Sequence, residues 1–127
     1  MVNVMDAERL NAENMQVCFL TQAMCGAVTP NWRSVSMTFQ KDAVHLEFFL
    51  EQDSVEDREE IQDVADQFSI FQEDARHYSL GGISITVTTE ELKTHGDQDR
   101  RLVYRRKEVR EAQPTVQAGA AALRGLT

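Results

Sequence analysis

No stretch of these 127 residues is apolar for the roughly 18–20 positions that a bilayer-spanning helix needs. Proline and glycine are scarce, at two and six residues, which excludes collagen-like and Gly/Pro-rich low-complexity chains. The opening residues, Met1-Val2-Asn3-Val4-Met5-Asp6, hold no basic segment followed by an apolar one, so no secretory signal is read there. Cysteine occurs only twice, at Cys18 and Cys25. On one helix those Cα atoms stand about 10 Å apart, beyond disulfide reach. They are read as reduced, largely buried thiols of a cytoplasmic protein.

The usual chemical constellations are missing as well. His45, His77 and His95 show no metal-binding spacing, and no Cys-x-x-Cys or Gly-x-Ser-x-Gly occurs. Neither cysteine has a basic or histidine neighbour to activate it. Gly81-Gly82 lacks the strand-to-helix setting and the Lys-Ser/Thr of a phosphate loop. The expectation is a chain without cofactor or metal and not an enzyme. A divalent-metal nuclease built on its carboxylates is the weakest of the readings considered.

What is present is an ordinary globular composition, 42% hydrophobic and 27% charged, with a formal net charge of −8. One domain over residues 1–110 is expected, followed by a flexible tail over 111–127 that has too little apolar content to pack. Charge is unevenly spread. Residues 1–95 carry 17 acids against 6 Lys/Arg, whereas residues 96–127 carry 4 against 7. An acidic body repels phosphate backbones, which disfavours nucleic acid, and speeds the encounter with a basic protein.

Periodicity supplies the elements. Residues 5–25 read as an amphipathic helix with Leu10, Val17, Cys18, Met24 and Cys25 on one face, Asn14 and Thr21 breaking the stripe, and Gly26 and Pro30 as stop signals. Val35, Met37 and Phe39, then Val44, Leu46, Phe48 and Leu50, alternate with polar neighbours across a short turn at residues 40–43. That is an antiparallel hairpin covered on one face. Asp53 and Ser54 are helix caps. Ile61, Val64, Ala65, Phe68 and Phe71 follow at helical spacing, giving a helix over residues 54–72. Residues 76–80 and 83–88 read as extended, with Gly81-Gly82 either a hairpin turn or a bulge in one long strand. Residues 94–100 are a polar loop, and Leu102-Val103-Tyr104 is a short strand with basic flanks. The predicted fold is α+β in α-β-β-α-β-β order, one antiparallel sheet with both helices on one face.

The candidate partner-binding surface is acidic. Glu47 and Glu51 lie on the polar face of the second strand, and Asp53, Glu56, Asp57, Glu60 and Asp63 continue along the helix. Trp32, Phe49 and Tyr78 are candidate aromatic anchors, although Trp32 equally suits the core. A solvated helix face with charges favoured by the helix dipole is the competing reading of the acids.

The stretch Gly26-Ala27-Val28-Thr29-Pro30-Asn31-Trp32-Arg33-Ser34-Val35-Ser36, with Ser54-Val55-Glu56-Asp57-Arg58-Glu59, Asp63-Val64-Ala65-Asp66 and Leu102-Val103-Tyr104-Arg105-Arg106-Lys107-Glu108, resembles the small α+β immunity proteins of contact-dependent growth inhibition and other polymorphic toxin systems. The resemblance spans roughly residues 10–108. It implies a cytoplasmic inhibitor that binds and neutralises the C-terminal toxin domain of a delivered effector, with a basic nuclease as the expected toxin. A non-catalytic interaction module or homodimer, pairing through a sheet edge or open sheet face, is the alternative.

Overall fold

A computed structural model describes residues 4–75, 77–92 and 100–108. The expected tail, and residues 94–99 of the expected polar loop with His95, lie outside them. The elements are α1 (Val4–Met24), β1 (Trp32–Gln40), β2 (Ala43–Leu50), α2 (Val55–Ala75), β3 (Ser79–Val87) and β4 (Arg100–Arg105). This is the expected α+β order.

α1 ends where Gly26 takes a φ of +81°, the left-handed conformation that glycine adopts freely just past a helix. β1 and β2 form the expected antiparallel hairpin, Phe39 opposite Val44 and Met37 opposite Leu46. Lys41 turns the corner with a φ of 57°, which costs a side-chain-bearing residue about 1 kcal/mol. Ser54 caps α2, its Oγ accepting the Asp57 amide at 3.2 Å.

The four strands lie in the order β3-β2-β1-β4. Here the expected all-antiparallel sheet needs correction: β3 runs parallel to β2, so the sheet is mixed. Parallel neighbours cannot be joined by a tight turn, and α2 is the crossover that connects them. Residues 79–87 form one continuous strand, and the glycine pair is a bulge in it. The register slips from Val44–Leu80 to His45–Gly82, leaving Gly81 as the extra residue. Side chains would be crowded there. A Cβ on Gly81 would stand 3.2 Å from the Ala43 Cβ, and one on Gly82 3.2 Å from the His45 ring.

Alternation divides the sheet. Val35, Met37, Phe39, Val44, Leu46, Phe48 and Leu50 face the helices and are buried with Leu20, Met24, Ile61, Val64 and Phe68. Trp32 closes this core, edge-on to Phe48 at 5.6 Å. The other face carries Ser34, Ser36, His45, Glu47 and Phe49, and among the described residues no helix covers it.

α2 buries Ile61, Val64, Ala65 and Phe68 of its expected stripe, with Phe71 half-buried, but α1 does not follow its own. Leu10, Cys18 and Cys25 are exposed, and of the expected stripe only Met24 is buried. The buried stripe of α1 is Gln16, Leu20 and Met24, spaced four apart, flanked by half-buried Val17, Phe19 and Ala23. Gln72 of α2 donates to the buried Gln16 Oε1 at 2.7 Å, so this polar side chain, and neither cysteine, lies on the inward side of α1.

Candidate partner-binding surfaces

The acids expected to form one surface are divided among three environments. On the open face of the sheet, Glu47 lies 3.6 Å from the Arg100 guanidinium, which sits 6.0 Å from the centre of the Phe49 ring and donates to the Ser36 Oγ at 3.2 Å. Arg100 therefore neutralises Glu47 and stacks on Phe49, a cation–π contact worth roughly 0.5–1 kcal/mol where solvent reaches it. Beside this cluster lies a groove of about 480 Å³. Ser34, Phe49, Thr86 and Leu102 line it together with Glu90 and Glu91. Leu102 leaves 59% of its surface in water, the largest apolar exposure on this face.

The second environment is internal. Asp57, expected on the surface, is only 6% exposed. Its carboxylate accepts from the Thr29 hydroxyl at 3.0 Å and from the Asn31 amide at 2.8 Å, so it ties the loop before β1 to the start of α2. Trp32 also lies inside, and of its two candidate roles it takes the core. Tyr78 is half-buried against Phe39, with ring centres 5.1 Å apart. Burial raises the pKa of its phenol. Glu51 is partly exposed but accepts from Arg106 at 2.6 Å.

The third environment is the outward side of α2. Asp53 precedes it and accepts from Arg58 at 2.5 Å, which lowers its carboxyl pKa. Glu56 and Asp63 are exposed and Glu60 half-exposed, with Glu59 and Asp66 exposed beside them. None of these five has a cationic partner among the described residues. The surface that the sequence suggested thus keeps its helical part, while Glu47 and Phe49 lie on the opposite side of the sheet.

Arg33 was not among the expected site residues, yet it organises the end of the sheet. It stands in an irregularity of the β1–β2 pairing, between Trp32 and Ser34, and is nearly inaccessible. Its Nε and Nη2 donate to both oxygens of Glu108, at 2.6 and 2.9 Å. Nη1 donates to the carbonyls of Thr88 and Glu90, at 2.7 and 2.8 Å. One guanidinium thereby fastens the segment after β3 and the segment after β4 to β1. Its hydrogen bonds hold the Glu108 carboxyl below the ordinary value of 4.5, and Glu108 in turn raises the pKa of Arg33. Arg106 extends the cluster, donating to the Pro30 carbonyl at 2.7 Å and approaching Glu108 at 3.1 Å.

These contacts give a physical meaning to residues 29–33. Thr29 and Asn31 hold Asp57, Pro30 offers its carbonyl to Arg106, Trp32 fills the core and Arg33 clamps the segments that follow β3 and β4. A model of the MafI2 immunity protein family matches residues 13–108, most of the chain and nearly all of its described part. The chain belongs to the MafI2 immunity protein family. Membership carries a toxin-neutralising immunity role and a toxin as partner, and it agrees with the resemblance to polymorphic-toxin immunity proteins. No curated protein matches the chain. The family match begins at Glu13 and ends at Glu108, so in this MafI2 family member it takes in α1 from its middle onward, the whole sheet and the Arg33–Glu108 clamp. Among the described residues, no cluster of three His, Cys, Asp or Glu could hold a metal ion, and no helix is long and apolar enough to cross a membrane.

The described part of the basic segment, residues 100–108, joins the sheet through β4 and pairs with acids of the body. Arg100 offsets Glu47, Arg101 lies 3.9 Å from Glu13, and Arg106 pairs with Glu51 and Glu108. Sequence reading separated the acidic body from this basic segment because the pairs are far apart along the chain.

Proposed function

We propose that this chain is the cytoplasmic inhibitor of a basic nuclease domain at the C-terminus of a contact-dependent growth inhibition effector, and that it acts by binding without turnover. Family membership is the observation that carries this reading. The outward side of α2 supports it, because Asp53, Glu56, Glu60 and Asp63 project a field that a basic nuclease surface would meet favourably. A row of carboxylates resembles the phosphates for which such a surface is shaped. Glu47 and Phe49, on the open side of the sheet, form a second, weaker candidate contact, since Arg100 already offsets Glu47, and Glu51 is likewise offset by Arg106.

The test uses the toxin domain encoded by the neighbouring reading frame. Co-expression of this chain should protect cells from that domain. Reversing Glu56, Glu60 and Asp63 to Lys should weaken binding at moderate salt by at least about tenfold, chiefly through a slower on-rate. Full affinity in the triple variant would remove α2 from the interface while leaving the immunity role intact. Failure to protect would remove the role itself.

A further inference from the structure

Among the described residues, β3 and β4 are the two edge strands of the sheet, and they are built differently. β4 has six residues, carries Arg100, Arg101 and Arg105, and is bulged against β1 between Val35 and Ser36. Shortness, cationic side chains and bulges are the devices that stop an edge from pairing with a foreign strand. β3 has nine residues, and residues 78–89 include no Asp, Glu, Lys, Arg, His or Pro. Its one irregularity, at Gly81, lies near its start. Residues 83–87 pair one for one with residues 46–50 of β2, so their other side presents a regular row of backbone N–H and C=O groups. In a chain of net charge −8, an uncharged edge of this length is a place where pairing is not opposed.

Charge decides between possible occupants. α2 packs on β3, whereas α1 packs on β4, so a strand added to β3 enters the field of the acids on α2. A second copy of this chain would bring its own acidic helix and a further charge of −8 to the same place. A basic protein would gain where the second copy loses. We propose that the toxin domain supplies an extended segment that joins β3 as a fifth strand, with main-chain hydrogen bonds for affinity and cationic flanking residues facing α2. This rests on the immunity reading.

Hydrogen–deuterium exchange of the full chain, alone and with the neighbour-encoded toxin domain, tests it. Alternate amides within residues 83–87 should exchange quickly in the free protein and gain at least about tenfold protection in the complex. Proline placed at one such position removes an N–H that makes no ladder bond in the free protein. It should cost at least about tenfold in affinity while the melting temperature stays near that of the parent. If the proline variant melts early, the exchange pattern of the parent chain decides alone. A complex that forms with β3 amides unchanged overturns the edge assignment and leaves the immunity role standing. No complex at all overturns both. Protection of the same amides without toxin, together with a dimer's mass, overturns the toxin as occupant in favour of a second copy.

Discussion

α1 and α2 each run for 21 residues and cover the same face of one sheet, yet they present opposite surfaces to water. The outward side of α2 is crowded with carboxylates, among them Glu56, Glu59, Asp63 and Asp66. On α1 the exposed charges are confined to its first turns, at Asp6, Glu8 and Arg9, and every exposed residue from Leu10 to Met24 is uncharged, including Leu10, Met15 and Cys18. The inward sides are reversed in character: α2 contributes Ile61, Val64 and Phe68, while α1 gives a third of its buried stripe to a glutamine. Where a helix turns is set by the whole of its partner surface. Here the buried amide pair of Gln16 and Gln72, 2.7 Å apart, lies on the inward side while Cys18 faces water.

The largest effect that can break this comparison is a pair of truncations. Phe68→Ala on α2 empties a fully buried site and should cost about 3–5 kcal/mol in denaturant unfolding. Leu10→Ala on α1, at a residue 53% exposed, should stay within about 0.5 kcal/mol. Equal losses would mean that α1 is rotated toward its cysteine stripe after all.

The same contrast explains what could be read in advance. The hairpin and α2 were legible because alternation and a long run of large apolar residues each allow one orientation. Strand direction leaves no such trace. Residues 83–88 alternate in the same way whether their neighbour runs parallel or antiparallel, and only the α2 crossover settles it. Asp57 was misread for a related reason. A carboxylate in the first turn of a helix is what the dipole favours, and its partners Thr29 and Asn31 lie 28 and 26 positions away. Arg33 carried a signal inside the resemblance, but nothing local reveals that Glu108 completes it.

Asp57 and Glu60 sharpen the comparison within α2 itself, being two acids three residues apart with different duties. Asp57→Ala removes two hydrogen bonds to a buried carboxylate and frees the Thr29 hydroxyl, so the expected loss is about 1–3 kcal/mol, read by urea unfolding. Glu60→Ala should change stability by less than about 0.5 kcal/mol and act on the association rate with the toxin instead. If both positions behave alike in unfolding, the division of these acids into internal and outward groups fails.

The smallest effect belongs to the outward side of α1. Cys18 and Cys25 are exposed free thiols, so a folded sample should react with a thiol reagent at nearly the rate of the denatured chain, since no opening has to precede the reaction. Replacing both with Ser should leave the unfolding free energy within about 0.5 kcal/mol, because neither side chain leaves a cavity or breaks a core contact. Buried thiols would give the opposite pair of results, slow labelling and a measurable loss. The two measurements together therefore test the rotation of α1 about its own axis, and with it the placing of Cys18 toward water and not the core.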